Sequence, residues 1–163
     1  MIKVIYIILI MSLWISLSSQ NAKTELKVYT GSEHKYSIKY PANWNIEKTT
    51  LGIVCIEPID MKGGIYITEY SGITLTDHRI EDFILESNHL PDEYASEILK
   101  GEENGIKSWY ISYTDTENHL TCISTYKKKG DYLLFISTEI EPEIWNNGWK
   151  EIITEIILSI DLK

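Results

Sequence analysis

The sequence predicts an α+β fold, a mostly antiparallel β-sheet with helices packed against it. Most of the chain beyond residue 25 reads as short runs that alternate apolar and polar residues, the period of half-buried strands. Two segments, one beginning at Thr76 and one at Pro142, change to a three-and-four spacing of apolar residues, the period of a helix with one buried face. No repeat, low-complexity tract or long linker interrupts the succession, so the strands and helices belong to one domain.

Leu26 to Tyr29 is a brief apolar stretch, and Gly31-Ser32-Glu33 is a turn. The stretch "YSIKYPANW" follows, Tyr36 to Trp44. Tyr36, Ile38 and Tyr40 point one way, Ser37 and Lys39 the other. Pro41 has no N–H for a ladder and stops the alternation, Asn43 suits a turn, and Trp44-Asn45-Ile46-Glu47 starts a second strand. Two strands therefore meet at a tight corner, with Tyr40 and Trp44 closing the end of the core. Ile53 to Ile59 is the next strand, Gly63-Gly64 reads as a turn, and Ile65 to Tyr70 alternates again.

Thr76 suits a helix N-cap, with Asp77 in the first turn and Leu75 and Ile80 placed for a hydrophobic staple. Ile80, Phe83 and Ile84 share a face that Ser87 continues, and Pro91 marks the end. Strands are expected over Tyr94–Lys100, Lys107–Thr114, His119–Lys127 and Asp131–Glu139, with turns at Glu102-Glu103-Asn104-Gly105 and at Lys129-Gly130. Trp109, Ile111 and Tyr113 fall on one face of the second of these. The chain then closes on a helix that opens at Pro142. Its apolar face carries Ile144, Trp145, Trp149, Ile152, Ile153, Ile156 and Ile157. Isoleucine is a modest helix former, so this helix depends on packing and is expected to lie across the sheet.

The N-terminus bears on where the protein goes. Met1-Ile2-Lys3 is short and positive, Val4 to Leu17 is almost wholly apolar, and Ser18-Ser19-Gln20 leads into a polar chain. That is the plan of a secretory signal peptide over residues 1–20, with cleavage between Ser19 and Ala22 and a single domain over 21–163. The apolar run is shorter than the roughly 20 residues a spanning helix needs, so no transmembrane anchor is expected after cleavage. No cysteine stands near the cleavage point to carry a lipid. Localisation is expected to be exported, periplasmic or secreted.

The charge excludes some classes of partner. The chain holds 15 Lys and Arg against 24 Asp and Glu, a net charge of −9, and only Lys3 among them is in the leader. Nucleic acid and anionic lipid surfaces both want clustered cations. Lys127-Lys128-Lys129 is the one basic run, and it reads as a solvated hairpin tip that blocks edge pairing. Two cysteines, Cys55 and Cys122, sit in strand patterns. In an oxidising compartment they can form one bridge, or pack as small hydrophobes.

Catalytic signatures are sparse. No G-x-S-x-G occurs, and Gly63-Gly64 lacks the further glycine and lysine of a phosphate loop. Of the four histidines, His34, His78, His89 and His119, only His78 has metal-like company, in Asp77, Glu81 and Asp82. His78 and Asp82 share a helix face, but zinc wants three or four converging ligands. An ordinary charged helix face explains the cluster better. Trp145 and Trp149 can line a ligand groove or leave an apolar strip near Asn146-Asn147-Gly148, and Trp44 can stack on a ligand; core packing is the plainer role for all three. No catalytic, cofactor-binding or metal residues are assigned, and no cofactor is expected.

Taken together, the strand that ends in "YSIKYPANW", the mid-chain helix at "DHRIEDFILES" and the closing amphipathic segment "EIILSIDLK" resemble the PsbP family and its wider superfamily of Mog-type and bacterial DcrB-like proteins. The resemblance spans about Glu25 to Lys163 and holds no catalytic signature. It implies an α/β/α sandwich around an antiparallel sheet, and a protein that acts by binding. The PsbP branch assists photosystem II on the lumenal side of thylakoids, the Mog-type branch binds a small GTPase, and DcrB-like members are mostly envelope proteins. No site residues are shared across these branches, so none is carried over. The expected function is an exported, non-catalytic binding module, an accessory or assembly factor that docks on another envelope or secreted protein. The alternative is a carrier or sensor of a small apolar ligand or lipid, which requires a pocket of about 300 Å³ or more between sheet and helix. A hydrolase with a scattered site ranks third.

Overall fold

The structure, a computed structural model, describes residues 25–59, 63–145 and 149–163. The expected leader at residues 1–20, and Asn146-Asn147-Gly148, lie outside the described residues.

Ten strands and three short helices are described, in two sheets. The smaller sheet joins β1 (Leu26–Thr30), β2 (Tyr36–Pro41) and β10 (Asp161–Leu162) in the order β1-β2-β10. The larger holds β3 (Trp44–Lys48), β4 (Val54–Pro58), β5 (Gly63–Tyr70), β6 (Leu99–Glu103), β7 (Ile106–Asp115), β8 (Leu120–Lys129) and β9 (Tyr132–Ile140). Its order is β3-β4-β5-β9-β8-β7-β6, and every pairing is antiparallel. Helix α1 is Asp77–Ser87, α2 is the single turn Pro142–Ile144, and α3 is Lys150–Leu158. The expected α+β architecture holds.

The seven-stranded sheet separates two apolar cores because its strands alternate. On one face Ile65, Ile67, Leu134, Ile136 and Ile140 meet Tyr36 and Ile38 of β2 and Ile153, Ile156 and Ile157 of α3. On the other, Trp109, Ile111, Tyr126 and Leu133 meet Ile80, Ile84 and Leu85 of α1. The corner at Pro41 acquires its meaning here. β2 and β3 do not pair; the chain steps at Ala42-Asn43 from the small sheet to the large one. Tyr40 and Trp44, on either side of the step, are both buried in the core between the sheets.

Some local expectations shift. Gly63-Gly64 opens β5 instead of turning. A Cβ at Gly63 would meet the Glu139 carbonyl oxygen at 2.3 Å, and φ is +107°, so the glycine is required by the close approach of β9. The strand expected over Tyr94–Lys100 starts late: Asp92–Glu97 form a 3-10 turn after Pro91, and β6 begins only at Leu99. Asp, Ser and Glu crowd that stretch and favour local turns over a ladder. The closing helix is described on either side of residues 146–148, with Trp145 and Trp149 both in helical backbone, and residues 161–162 leave it to form β10 against Ser37 and Tyr36. The lysine run is not a hairpin tip. β8 continues through Lys129, and Lys127 is half-buried, donating from Nζ to the Ile160 carbonyl at 3.1 Å.

Candidate functional site

α1 covers only half of its sheet face. Beyond its C-terminus no other described residue covers the floor across β4, β5, β9, β8 and β7, and this opening is a groove of about 970 Å³. Alternation decides which side chains make the floor: Cys55, Tyr66, Thr68, Phe135, Ser137, Glu139, Cys122 and Tyr113 all point to this side. The walls come from three places. One is the β3–β4 turn with Thr49 and Ile53, one is Ser87 to Leu90 at the end of α1, and the third is Thr114 to Asn118 at the β7–β8 hairpin.

The α1 wall is held by a polar knot. Asn88 donates from Nδ2 to the Ile84 carbonyl at 2.7 Å and to the Tyr126 hydroxyl at 3.0 Å. Its Oδ1 accepts from Tyr113 at 3.0 Å and from the fully buried Ser124 at 2.6 Å. The hydroxyls of Ser87 and Tyr126 lie 2.7 Å apart. Each buried polar group thereby has a partner, which fixes the helix end against the sheet. At the far wall Asp115 accepts from the backbone N–H groups of Glu117 and Asn118, each at 3.0 Å, and from Asn118 Nδ2 at 2.8 Å. These bonds hold its carboxyl below the usual range, led by the Asn118 side chain.

The groove is electrostatically negative. Asp115, Glu117 and Glu139 line it, and among the described residues no lysine or arginine does. Burial pushes the Cys55 thiol up, with Glu57 and Glu47 adding to it; burial pushes Cys122 up, with Glu139 adding. Tyr66 is pushed up to about 12 by burial and then by Glu57. Thiols held protonated in this way are poor nucleophiles.

The cysteines are both free. Cys55 is on β4 and Cys122 on β8, on the same face but three strand spacings apart, about 14 Å. A bridge needs Cα atoms within about 7 Å, so the bridge that their number permitted does not form in this fold.

The metal-like cluster of α1 has other work. Asp77 pairs with Lys107 at 2.7 Å and Glu81 with Lys100 at 2.7 Å, tying the helix to the sheet. His78 stands on the solvent side, 4.0 Å from Asp82. Among the described residues no group of three or more His, Cys, Asp and Glu converges.

The tryptophans fall on the opposite face. Trp149 stacks on Trp44 with ring centroids 5.1 Å apart, a contact worth about 0.5–1.5 kcal/mol beyond its area. Trp145 packs against the same core. The space between the sheet and this segment, lined by Trp44, Ile144, Trp149 and Ile153 among others, is about 10 Å³. That is room for about one water at most, so among the described residues the space between sheet and last helix is far below the roughly 300 Å³ that a carrier of apolar ligands requires. The groove that does exist could not be read from spacing, because it takes residues from five strands.

No protein-family model matches the chain, and no curated protein is significantly similar to it in sequence. Solved structures are similar to it. The solution structure of cyanobacterial PsbP (CyanoP) from Synechocystis sp. PCC 6803 superposes with a TM-score of 0.62 at 14% identity, over 89% of this chain and 96% of that one. A crystal structure from Bacteroides thetaiotaomicron VPI-5482 superposes with a TM-score of 0.60 at 14% identity, over 84% of this chain and 48% of that one. The chain has a PsbP-like fold.

Proposed function

From a PsbP-like fold with one sheet face left half open, we propose that the protein is an exported, non-catalytic binding module that docks on another envelope or secreted protein as an accessory or assembly factor. In this reading residues 1–20 are a secretory leader and 21–163 the working domain. The observation that carries it is the groove of about 970 Å³ beside α1, walled by ordered turns and floored by five strands. A folded domain rarely leaves a partly apolar concave surface of this size without a use. The protonated thiols of Cys55 and Cys122 favour binding over nucleophilic chemistry. Among the described residues no helix is long and apolar enough to cross a membrane.

The test is native mass spectrometry of the protein affinity-purified from the envelope of its own host. A stoichiometric protein companion is the expected result. A bare monomer that carries a small non-covalent adduct would replace the reading with ligand carriage.

A further inference from the structure

We propose that the open half of the sheet face is a docking groove, wide enough for a helix, for an amphipathic segment of a partner protein that presents lysine or arginine along its edges. The inference rests on the binding-module reading and says what kind of surface the partner offers.

α1 supplies the template. It sits on the same face of the same sheet, with Ile80 and Ile84 turned to Trp109, Ile111 and Tyr126. Its edge is fastened by two ion pairs in which the sheet gives the cation and the helix the anion, Lys107 to Asp77 and Lys100 to Glu81. The open half repeats this arrangement with the signs exchanged. Phe135, Tyr113, Tyr66 and Leu120 offer an apolar centre. Around them the sheet gives only anions: Glu139 and Asp115 line the groove, and the register places Glu47 and Glu57 on the face of Cys55. Their field is felt inside, since carboxylates add to the upward shifts of Cys55, Tyr66 and Cys122. Asp115 keeps its charge through the bonds from Glu117 and Asn118. A segment that completes this half must therefore bring the cations itself.

Size agrees. From β4 to β7 the floor crosses four strand spacings, about 19 Å, while a helix with its side chains is about 10–12 Å across. One helix therefore fits on this floor, with room left on its flanks.

Two peptides of about 14 residues test the chemistry, each with leucines on one helical face and either lysine or glutamate on the other. The lysine peptide is expected to bind about tenfold more tightly at low salt. It should shift the amide resonances of Tyr66, Ser137 and Glu139. The pair Glu117→Lys with Glu139→Lys should remove that preference, and the pair Glu93→Lys with Glu97→Lys, on the exposed 3-10 turn, should leave it. Equal affinity for the two peptides, shifts on another face, or the same loss from both pairs would overturn the proposal. A photo-cross-linker placed in the host at Ser137, and separately at exposed Val28 and Leu99, separates this proposal from the broader reading. A cross-linked segment at Ser137 that is amphipathic and bears Lys or Arg supports the groove. Cross-links at Val28 or Leu99 alone leave a binding module and remove the groove; no companion at any of the three removes both. A small molecule retained at the groove removes the proposal as well.

Discussion

Replacing Asn88 by alanine probes the wall of the groove, and the cost can be worked from the four shorter of its five side-chain hydrogen bonds. Truncation removes the donor to the Ile84 carbonyl and to Tyr126, and the acceptor of Tyr113 and Ser124. Tyr126 keeps Ser87 as a neighbour, and Tyr113 lines the groove, where water replaces its partner. Ser124 is fully buried and loses its acceptor outright. An orphaned buried group costs about 1–3 kcal/mol and each remaining bond about 1 kcal/mol, so Asn88→Ala should cost about 3 kcal/mol. With a urea slope of about 2 kcal/mol per molar, the unfolding midpoint falls by about 1.5 M. Ser124→Ala supplies the internal check. In the native background it removes a buried bond, and in the Asn88→Ala background it removes a hydroxyl already without that acceptor, so the two changes should couple by about 1 kcal/mol. A loss below about 1 kcal/mol for Asn88→Ala, or an equal cost of Ser124→Ala in both backgrounds, refutes the view that this knot holds the wall.

Gly31→Ala should be costly although its φ is ordinary, because the new Cβ falls 1.9 Å from the ring of the fully buried Tyr36. A thermal melt should show a loss of about 2 kcal/mol or more, whereas Gly101→Ala, with open space around it, should stay within about 0.5 kcal/mol. Alkali should destabilise the fold. Burial pushes Tyr66 and Tyr126 up to about 12 and Tyr36, Tyr113 and Tyr132 higher still, so the folded state prefers the neutral phenols. Stability from these groups is whole below the ordinary tyrosine value of about 10 and is lost as pH rises toward 12. Urea midpoints that stay level from pH 9 to 11.5 would contradict this. Both thiols should alkylate more slowly than free cysteine at pH 8, Cys122 more slowly than the half-exposed Cys55, and both at full speed in denaturant. A folded protein that consumes reagent at the rate of free cysteine counts against their burial.

The sequence was most legible where turn chemistry and alternation agree. Asn104-Gly105, both at positive φ, announces the β6–β7 turn, and Gly130 sits at positive φ in the β8–β9 turn. The helix α1 follows from the spacing of Ile80, Ile84 and Ser87. Legibility failed where a residue answers to something distant in sequence. Gly63 looks like a turn until Glu139 is seen against it. Asp161–Leu162 is too short to show any period, and its pairing with β2 is purely tertiary. Lys127 belongs to a charged run, yet its stem is half-buried and its ammonium reaches the Ile160 carbonyl. The groove was hidden for the same reason. Cys55, Tyr66, Ser137 and Cys122 each look like ordinary strand residues, and the length of α1 decides that no helix among the described residues covers them.

The step at Ala42-Asn43 and the short β10 together set the order of events when the chain is made. Residues 36–41 find one neighbour at once in β1 and the other only in residues 161–162, nearly the whole chain later. Lys163 fastens the same edge through its N–H to the Lys35 carbonyl at 2.9 Å. The seven-stranded sheet forms from two sets of local hairpins, β3-β4-β5 and β6-β7-β8-β9, that join where β5 meets β9, but the small sheet stays a two-stranded ribbon until residues 161–162 arrive. A chain that emerges N-terminus first thus completes the small sheet only once residues 161–163 are available to pair with β2. Until then the apolar face of β2 must wait, and deleting Asp161 to Lys163 should lengthen that wait indefinitely.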